Sequence, residues 1–154
     1  MGTINWPRVF FGGLIAGAVG LVVQYLTTLI LAQTMNEIFA VAQVKLLTAT
    51  TYVEWVVLNI LAGVFIVWLY AVMRTHFGQG PKTALITGFY LWLIGVPLMG
   101  AAMAVLGVMP PFTLTAHVTI NVAVLIADLL AALAGGWAYR DKPAGKPKVV
   151  AAAA

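Results

Sequence analysis

Residues 124–140, VLIADLLAALAGGWAYR, decide the fold of this chain. They form a continuous apolar run that is interrupted only by Asp128 and ended by Arg140. A helix needs about 20 apolar residues to cross roughly 30 Å of hydrocarbon, whereas a strand of a membrane barrel would alternate polar and apolar residues. The stretch is therefore predicted to end a membrane-spanning helix over residues 116–139.

The composition extends this prediction to the whole chain. Of the 154 residues, 63% are hydrophobic and 8% are charged, whereas soluble domains carry about 25% charged residues. Three more charge-free spans predict crossings at residues 9–33, 55–73 and 84–108. The first span is too long for the apolar core of a signal peptide, and no clear cleavage site follows it. The predicted fold is all-α, an integral membrane four-helix bundle in a single domain over residues 1–140.

The basic residues predict the orientation of the bundle. With four crossings, both termini and the second loop share one side, and that side carries seven of the eight Lys and Arg residues, whereas Lys45 lies on the other. This asymmetry predicts that both termini are cytoplasmic. Residues 141–154 are predicted to be a mobile basic tail near lipid headgroups. The net charge of +4 therefore points to membrane lipids as partners and not to nucleic acid.

Aromatic residues are predicted to mark the cytoplasmic boundary of the membrane. Five of them lie near the cytoplasmic ends of the predicted helices: Trp6, Trp68, Tyr70, Trp137 and Tyr139. Trp and Tyr favour this boundary because their rings are apolar with one polar atom. We expect these residues to act as interfacial anchors.

A polar residue occurs at the same depth in two of the helices. Asn59 precedes Trp68 by nine residues, and Asp128 precedes Trp137 by the same interval. At 1.5 Å per residue both lie about 13.5 Å from the aromatic boundary, close to the middle of the membrane. With two residues further out, the predicted intramembrane polar layer comprises Asp128, Asn59, Asn121 and Gln24.

Three hypotheses for Asp128 stay open. A carboxylate at the centre of a membrane helix costs about 2.5 to 3.5 kcal/mol on insertion scales, so it is expected to face protein or water. Asp128 would pair with Asn59 if it joins helices, and such bonds contribute about 0.6 to 2 kcal/mol. It would titrate in a hydrated cavity if it is a transport or proton-relay site. It would meet a helix of another subunit if it is an assembly contact.

Small residues predict where the helices pack closely. Gly13 and Gly17 form a GxxxG motif in the first helix, and Ala132 and Gly135 continue the face of Asp128 in the fourth. We expect both sets to pack inside the bundle in preference to forming a dedicated dimer face. Pro97 is predicted to kink the third helix.

The residue types present exclude several kinds of chemistry. The chain has neither cysteine nor serine, which removes thiolate chemistry, disulfides and serine nucleophiles. An aspartyl protease would need two deep carboxylates, and only Asp128 is deep. His76 and His117 are separated by most of the predicted membrane, so no metal site is predicted. His117 is a candidate single ligand for a haem or pigment, or else a polar residue at a helix entrance; the sequence requires no cofactor and predicts no enzymatic activity.

Three segments resemble a known group of proteins. They are RV at residues 8–9 followed by GGLIAG, then WLYAVMRTHFGQGPKTAL at residues 68–85, and GGWAYR at residues 135–140. Together they resemble an uncharacterised family of small four-helix bacterial integral membrane proteins. The resemblance implies a multi-pass protein of the bacterial inner (cytoplasmic) membrane and carries no catalytic residue across.

These features predict a structural or accessory role. We expect the protein to pack with itself as a homo-oligomer or to be a subunit of a larger membrane complex, because the loops are short and small-residue faces are present. The alternative is a small proton-coupled or lipid-like-ligand transporter centred on Asp128.

Overall fold

The chain folds as a bundle of four long helices. A computed structural model describes residues 4–41, 49–107 and 113–139, and no strand occurs within these ranges. The elements are α1 (Trp6–Ile30), α2 (Ala32–Val41), α3 (Ala49–Phe77), α4 (Pro81–Leu93), a π-helical segment (Ile94–Leu98), α5 (Met99–Val105) and α6 (Leu114–Ala138). The predicted basic tail at residues 141–154 lies outside the described residues.

Four stretches are long and apolar enough to cross a membrane. They are Trp6–Ile30, Thr50–Phe77, Pro81–Val105 and Leu114–Ala138. The third stretch consists of α4, the π-helical segment and α5 in succession. The all-helical class and the four membrane-length helices predicted from the sequence are thus confirmed.

Side chains and glycines define the helix ends. The Asn5 side chain accepts a hydrogen bond from the Arg8 N–H at 3.3 Å, and Thr113 accepts one from the Ala116 N–H at 3.2 Å. Between α3 and α4, Gly78 and Gly80 have φ values of 80° and 144°. Residues other than glycine rarely adopt these φ values, so glycine at both positions permits the tight reversal from α3 into α4.

Helix α1 packs against α3 and α6, and α4 packs mainly against α6 and also against α3, whereas α1 and α4 do not contact each other. Small residues predominate where these helices cross, so their backbones approach closely. The core residues that they bury are Val9, Ala16, Ile66, Val67, Tyr70, Ala71, Ala84, Ala131, Ala132 and Tyr139. They belong to the half of the bundle that contains the start of α1 and the end of α6, which we call the packed half.

The end of the packed half joins four chain segments through two tyrosines. The Tyr139 hydroxyl accepts a hydrogen bond from the Asn5 N–H at 3.1 Å, and the Tyr70 hydroxyl accepts one from the Gly80 N–H at 3.3 Å. The two rings meet edge to face at 6.2 Å, and the Arg74 guanidinium lies 4.6 Å from the centre of the Tyr139 ring. Because Arg8, Arg74 and Lys82 lie in the segments gathered here, we call it the basic end.

These contacts correct the expectation for two of the aromatic residues. Tyr70 and Tyr139 are 5% and 2% exposed, so they are buried core residues and not interfacial anchors. Their hydroxyls bind backbone N–H groups that water or lipid would otherwise satisfy. Trp6 and Trp137 are exposed, as an anchoring role requires.

The third membrane-length stretch is interrupted around Pro97. Pro97 has no N–H and cannot continue the α-helical bonding pattern. The chain widens there into a π-helical segment, in which the Met99 N–H donates to the carbonyl of Ile94, five residues earlier. The π-helical segment and α5 contain no buried residue. We call residues 94–106 the open segment.

Candidate functional site

Gln24 and Asn59 form a hydrogen-bonded pair between α1 and α3. The Gln24 Nε2 donates to the Asn59 Oδ1 at 3.1 Å, and the Asn59 Nδ2 donates to the Trp55 carbonyl at 3.0 Å. The Gln24 Oε1 is buried and accepts no hydrogen bond from the described residues. A buried acceptor without a donor costs about 1 to 3 kcal/mol, so this polar pair is only partly satisfied.

Asp128 shares a small cavity with Asn59. The cavity has a volume of about 20 Å³ and lies where α1, α3, α4 and α6 meet. Small residues supply most of its remaining wall, among them Gly17, Gly20 and Gly63. A cavity of this size holds about one water molecule when polar groups line it. The two residues that the sequence placed at equal depth therefore line one site.

The Asp128 carboxyl forms no hydrogen bond with any residue in ranges 4–41, 49–107 and 113–139. The bond to Asn59 that the interhelical hypothesis required is not formed: the Asn59 Oδ1 accepts from Gln24, and its Nδ2 donates to the Trp55 carbonyl. Asp128 is half-buried on α6, between the buried residues Ala127 and Ala131.

Asn121 belongs to a different contact. Its side-chain Nδ2 donates to the His117 carbonyl on the same helix at 2.8 Å, and its own carbonyl accepts from the Trp92 Nε1 at 2.8 Å. The Asn121 side chain thus bonds within α6, and the bond to α4 is made by its backbone carbonyl. The predicted polar layer is therefore divided: Gln24, Asn59 and Asp128 gather between α1, α3 and α6, and Asn121 lies between α4 and α6.

Gly13 and Gly17 allow α1 to lie directly on α3. A Cβ atom at Gly13 would lie 2.5 Å from the Val64 Cα, and one at Gly17 would lie 2.8 Å from the Asn59 carbonyl oxygen. Facing them, a Cβ atom at Gly63 would collide with the Gly13 carbonyl and the Gly17 nitrogen. The GxxxG motif is thus occupied by a contact within the chain.

The small residues of α6 serve two neighbours. A Cβ atom at Gly135 would clash with Val67 and lie 3.2 Å from the Gly12 carbonyl oxygen, so this glycine faces α3 and α1. Ala132 is 1% exposed and faces α4, where a Cβ atom at Gly88 would lie 3.1 Å from the Ala132 Cβ.

Gly12 and Gly88 also lie at close helix contacts, and neither was predicted from the sequence. The available signal was the cost of glycine inside a helix, which is about 0.5 to 1 kcal/mol relative to alanine and is offset where two backbones must touch. A Cβ atom at Gly88 would lie 2.7 Å from the Asp128 carbonyl oxygen, so this glycine sets how closely α4 approaches the helix that carries Asp128.

His117 lies half-buried near the start of α6, one turn before Asn121. Within the described parts of the chain, no group of three or more His, Asp or Glu side chains could hold a metal ion. The hypothesis that His117 alone binds a haem or pigment stays a prediction, and any such group would have to take its second contact from elsewhere.

The geometry limits what the polar site can do. The cavity beside Asp128 has room for about one water molecule, and its other walls are mostly glycine, alanine and larger aliphatic side chains. Gln24 and Asn59 can hold α1 and α3 in register, and the Asp128 carboxyl can contact a water molecule in the cavity. No protein-family model, curated protein or solved structure matches the chain.

Proposed function

We propose that this protein is a multi-pass component of the bacterial inner membrane, with both termini in the cytoplasm, that acts by assembling with other membrane helices. The partner is a second copy of the chain or a subunit of a larger complex. The four membrane-length helices and the concentration of Lys and Arg at the basic end support this orientation.

The observation that carries the proposal is the uncovered third stretch, Pro81–Val105. Of the residues in the most apolar 18-residue part of this stretch, only 6% are buried, compared with 22 to 33% in the other three stretches. Exposure of leucine or methionine to lipid costs little, so the exposed fraction alone does not require a partner. The exposed glycines of the open segment are a more specific indication of a partner.

Gly95 and Gly100 have no close neighbour in the described chain. A Cβ atom at either position would meet nothing within 4 Å. Glycine inside a helix costs about 0.5 to 1 kcal/mol relative to alanine, and no close approach of another described residue offsets that cost at these two positions. Small residues in membrane helices let another helix approach closely. A partner helix packed against the open segment explains why glycine occurs at these two positions.

The test is the assembly state of the purified protein in mild detergent. Light scattering coupled to size exclusion should show a homo-oligomer or a co-purifying subunit. Gly100→Leu should weaken that association, because the new side chain separates the two helices. The matched control is Ala18→Leu, which makes a similar small-to-large change at an exposed position of α1 and should leave the assembly intact.

Two results would contradict the proposal. One is a strictly monomeric protein with no co-purifying partner. The other is an assembly that Gly100→Leu and Ala18→Leu leave equally stable, because the open segment would then play no part in it.

The second candidate function is transport centred on Asp128, coupled to protons or directed at a lipid-like ligand. It is favoured by a carboxyl group that lines a cavity and has no hydrogen bond among the described residues. Purified protein reconstituted into vesicles should then conduct a proton-linked flux that Asp128→Asn abolishes. Flux that is absent, or unchanged in this variant, would exclude this function.

A further inference from the structure

We infer that a groove between α4 and α6 at the basic end binds one anionic phospholipid, with its acyl chain in the groove and its phosphate near Lys82. The groove has a volume of about 530 Å³ and is lined by Phe77, Leu85, Ile86, Phe89, Tyr90 and Leu129. This volume falls within the range of sites for small molecules, about 300 to 1,000 Å³. The inference goes beyond the proposed assembly role, because it concerns residues outside the open segment and a lipid in place of a protein partner.

Lys82 and the groove together span most of one leaflet. From Lys82 to Tyr90 the chain rises about 12 Å at 1.5 Å per residue, and one leaflet of a roughly 30 Å hydrocarbon core is about 15 Å thick. A lipid chain that enters at the basic end would fill the groove and stop near the middle of the membrane.

The walls of the groove are suited to an alkyl chain. Leu85, Phe89 and Tyr90 are 39%, 44% and 45% exposed, so the groove is open to the side of the bundle and needs no conformational change for entry. Phe77, the last residue of α3, lines the groove near the basic end. All but one of the lining side chains are purely hydrocarbon, so the groove offers an alkyl chain van der Waals contact along its length.

Positive charge lies where the phosphate would be. Lys82 is exposed and occupies the same helix face as Leu85, Ile86 and Phe89, since steps of three, four and seven residues return to one side of a helix. Among the described residues no acidic side chain lies at this end, since Glu54 lies near the start of α3, at the opposite end of the bundle. One basic residue near the membrane surface attracts an anionic headgroup, which favours an anionic lipid over a neutral one.

The test uses native mass spectrometry of the full-length protein in detergent with added lipid. Phosphatidylglycerol should be retained in preference to phosphatidylcholine with the same acyl chains. Lys82→Gln should reduce this preference about fivefold, the factor expected for one basic residue near the membrane surface. Inorganic phosphate should not displace the lipid, since the acyl chain supplies most of the contact.

Two further variants identify the groove. Ile86→Trp should reduce retention of both lipids, because the larger ring occupies the space of the acyl chain. Arg8→Gln is the matched control: it removes one charge at the same end, but α1 does not contact α4, so lipid preference should persist. Thermal unfolding of each variant shows whether it remains folded, and Lys82→Gln tests the inference even if Ile86→Trp does not fold.

Three results would overturn the inference. The first is equal retention of the two lipids by the unmodified protein. The second is a preference that depends on Arg8 and not on Lys82. The third is a protein dimer that Ile86→Trp dissociates, which would assign the groove to a second copy of the chain. None of these depends on whether Gly100→Leu alters the assembly, so this inference and the proposed function fail separately.

Discussion

Glycines in the packed half and in the open segment occupy opposite environments. At Gly13, Gly17, Gly63 and Gly135 an added Cβ atom would meet a neighbouring helix, whereas at Gly95 and Gly100 it would meet no described residue within 4 Å. Packing among the described helices explains the first group and does not explain the second. The same residue type therefore occurs both at tight helix crossings and at positions with open space among the described residues.

The largest effect is expected for Gly63→Leu. The new side chain would collide with the backbone of Gly13 and Gly17 on α1, and a backbone cannot move aside as a flexible side chain does. Overpacking of this kind costs about 3 kcal/mol or more of the free energy of unfolding. Thermal unfolding in detergent, followed by circular dichroism, measures the loss. An unfolding temperature equal to that of the unmodified protein would contradict the close contact between α1 and α3 at Gly63.

A smaller effect of opposite sign is expected for Asp128→Asn. The carboxyl accepts no hydrogen bond from the described residues, so its replacement removes a desolvated acid without breaking a bond. The gain should be about 1 to 3 kcal/mol, up to the insertion cost of a membrane carboxylate. The control is Glu54→Gln at an exposed position, which should leave the unfolding temperature unchanged. Destabilisation by Asp128→Asn would show that Asp128 has a partner in the assembled protein.

Tyr139→Phe should cost about 1 kcal/mol. The variant keeps the buried ring but removes the hydroxyl that accepts from the Asn5 N–H, and the net value of one such bond is about 0.5 to 1.5 kcal/mol. Tyr25→Phe, at a residue that is 65% exposed, is the matched control and should cost nothing measurable. Equal unfolding temperatures for the two variants would mean that Tyr139 joins the chain ends through its ring alone.

The smallest effect on folding is expected for Gly100→Leu. Because no described residue lies within 4 Å of its Cβ position, the change in the free energy of unfolding of the dissociated chain should stay within about 0.5 kcal/mol. The same substitution at position 63 should cost several times more, so the pair measures the contrast between the two regions directly. A large loss at position 100 in the monomeric chain would show that the open segment is part of the folded core.

Helix number and placement were accessible from the sequence because they depend on apolar length and on the scarcity of charge. The matched depth of Asn59 and Asp128 was also accessible, since helical rise is constant, and both residues line one cavity. Depth does not specify direction around the helix axis, and for that reason Asn121 was assigned to the same layer although it contacts Trp92. Nor does it show which donors are already used, so the Gln24–Asn59 bond was missed.

Composition and the lengths of the apolar runs are enough to predict four long apolar helices with a basic end. They also exclude thiol and serine chemistry, since neither residue type is present. The burial of Tyr70 and Tyr139, and the glycines that neighbouring helices cover, became known only from the packing of the helices. Those outcomes depend on how the helices are rotated against one another. Helix rotation follows from the simultaneous fit of all the small residues at the crossings, and a single helix contains too little information to specify it.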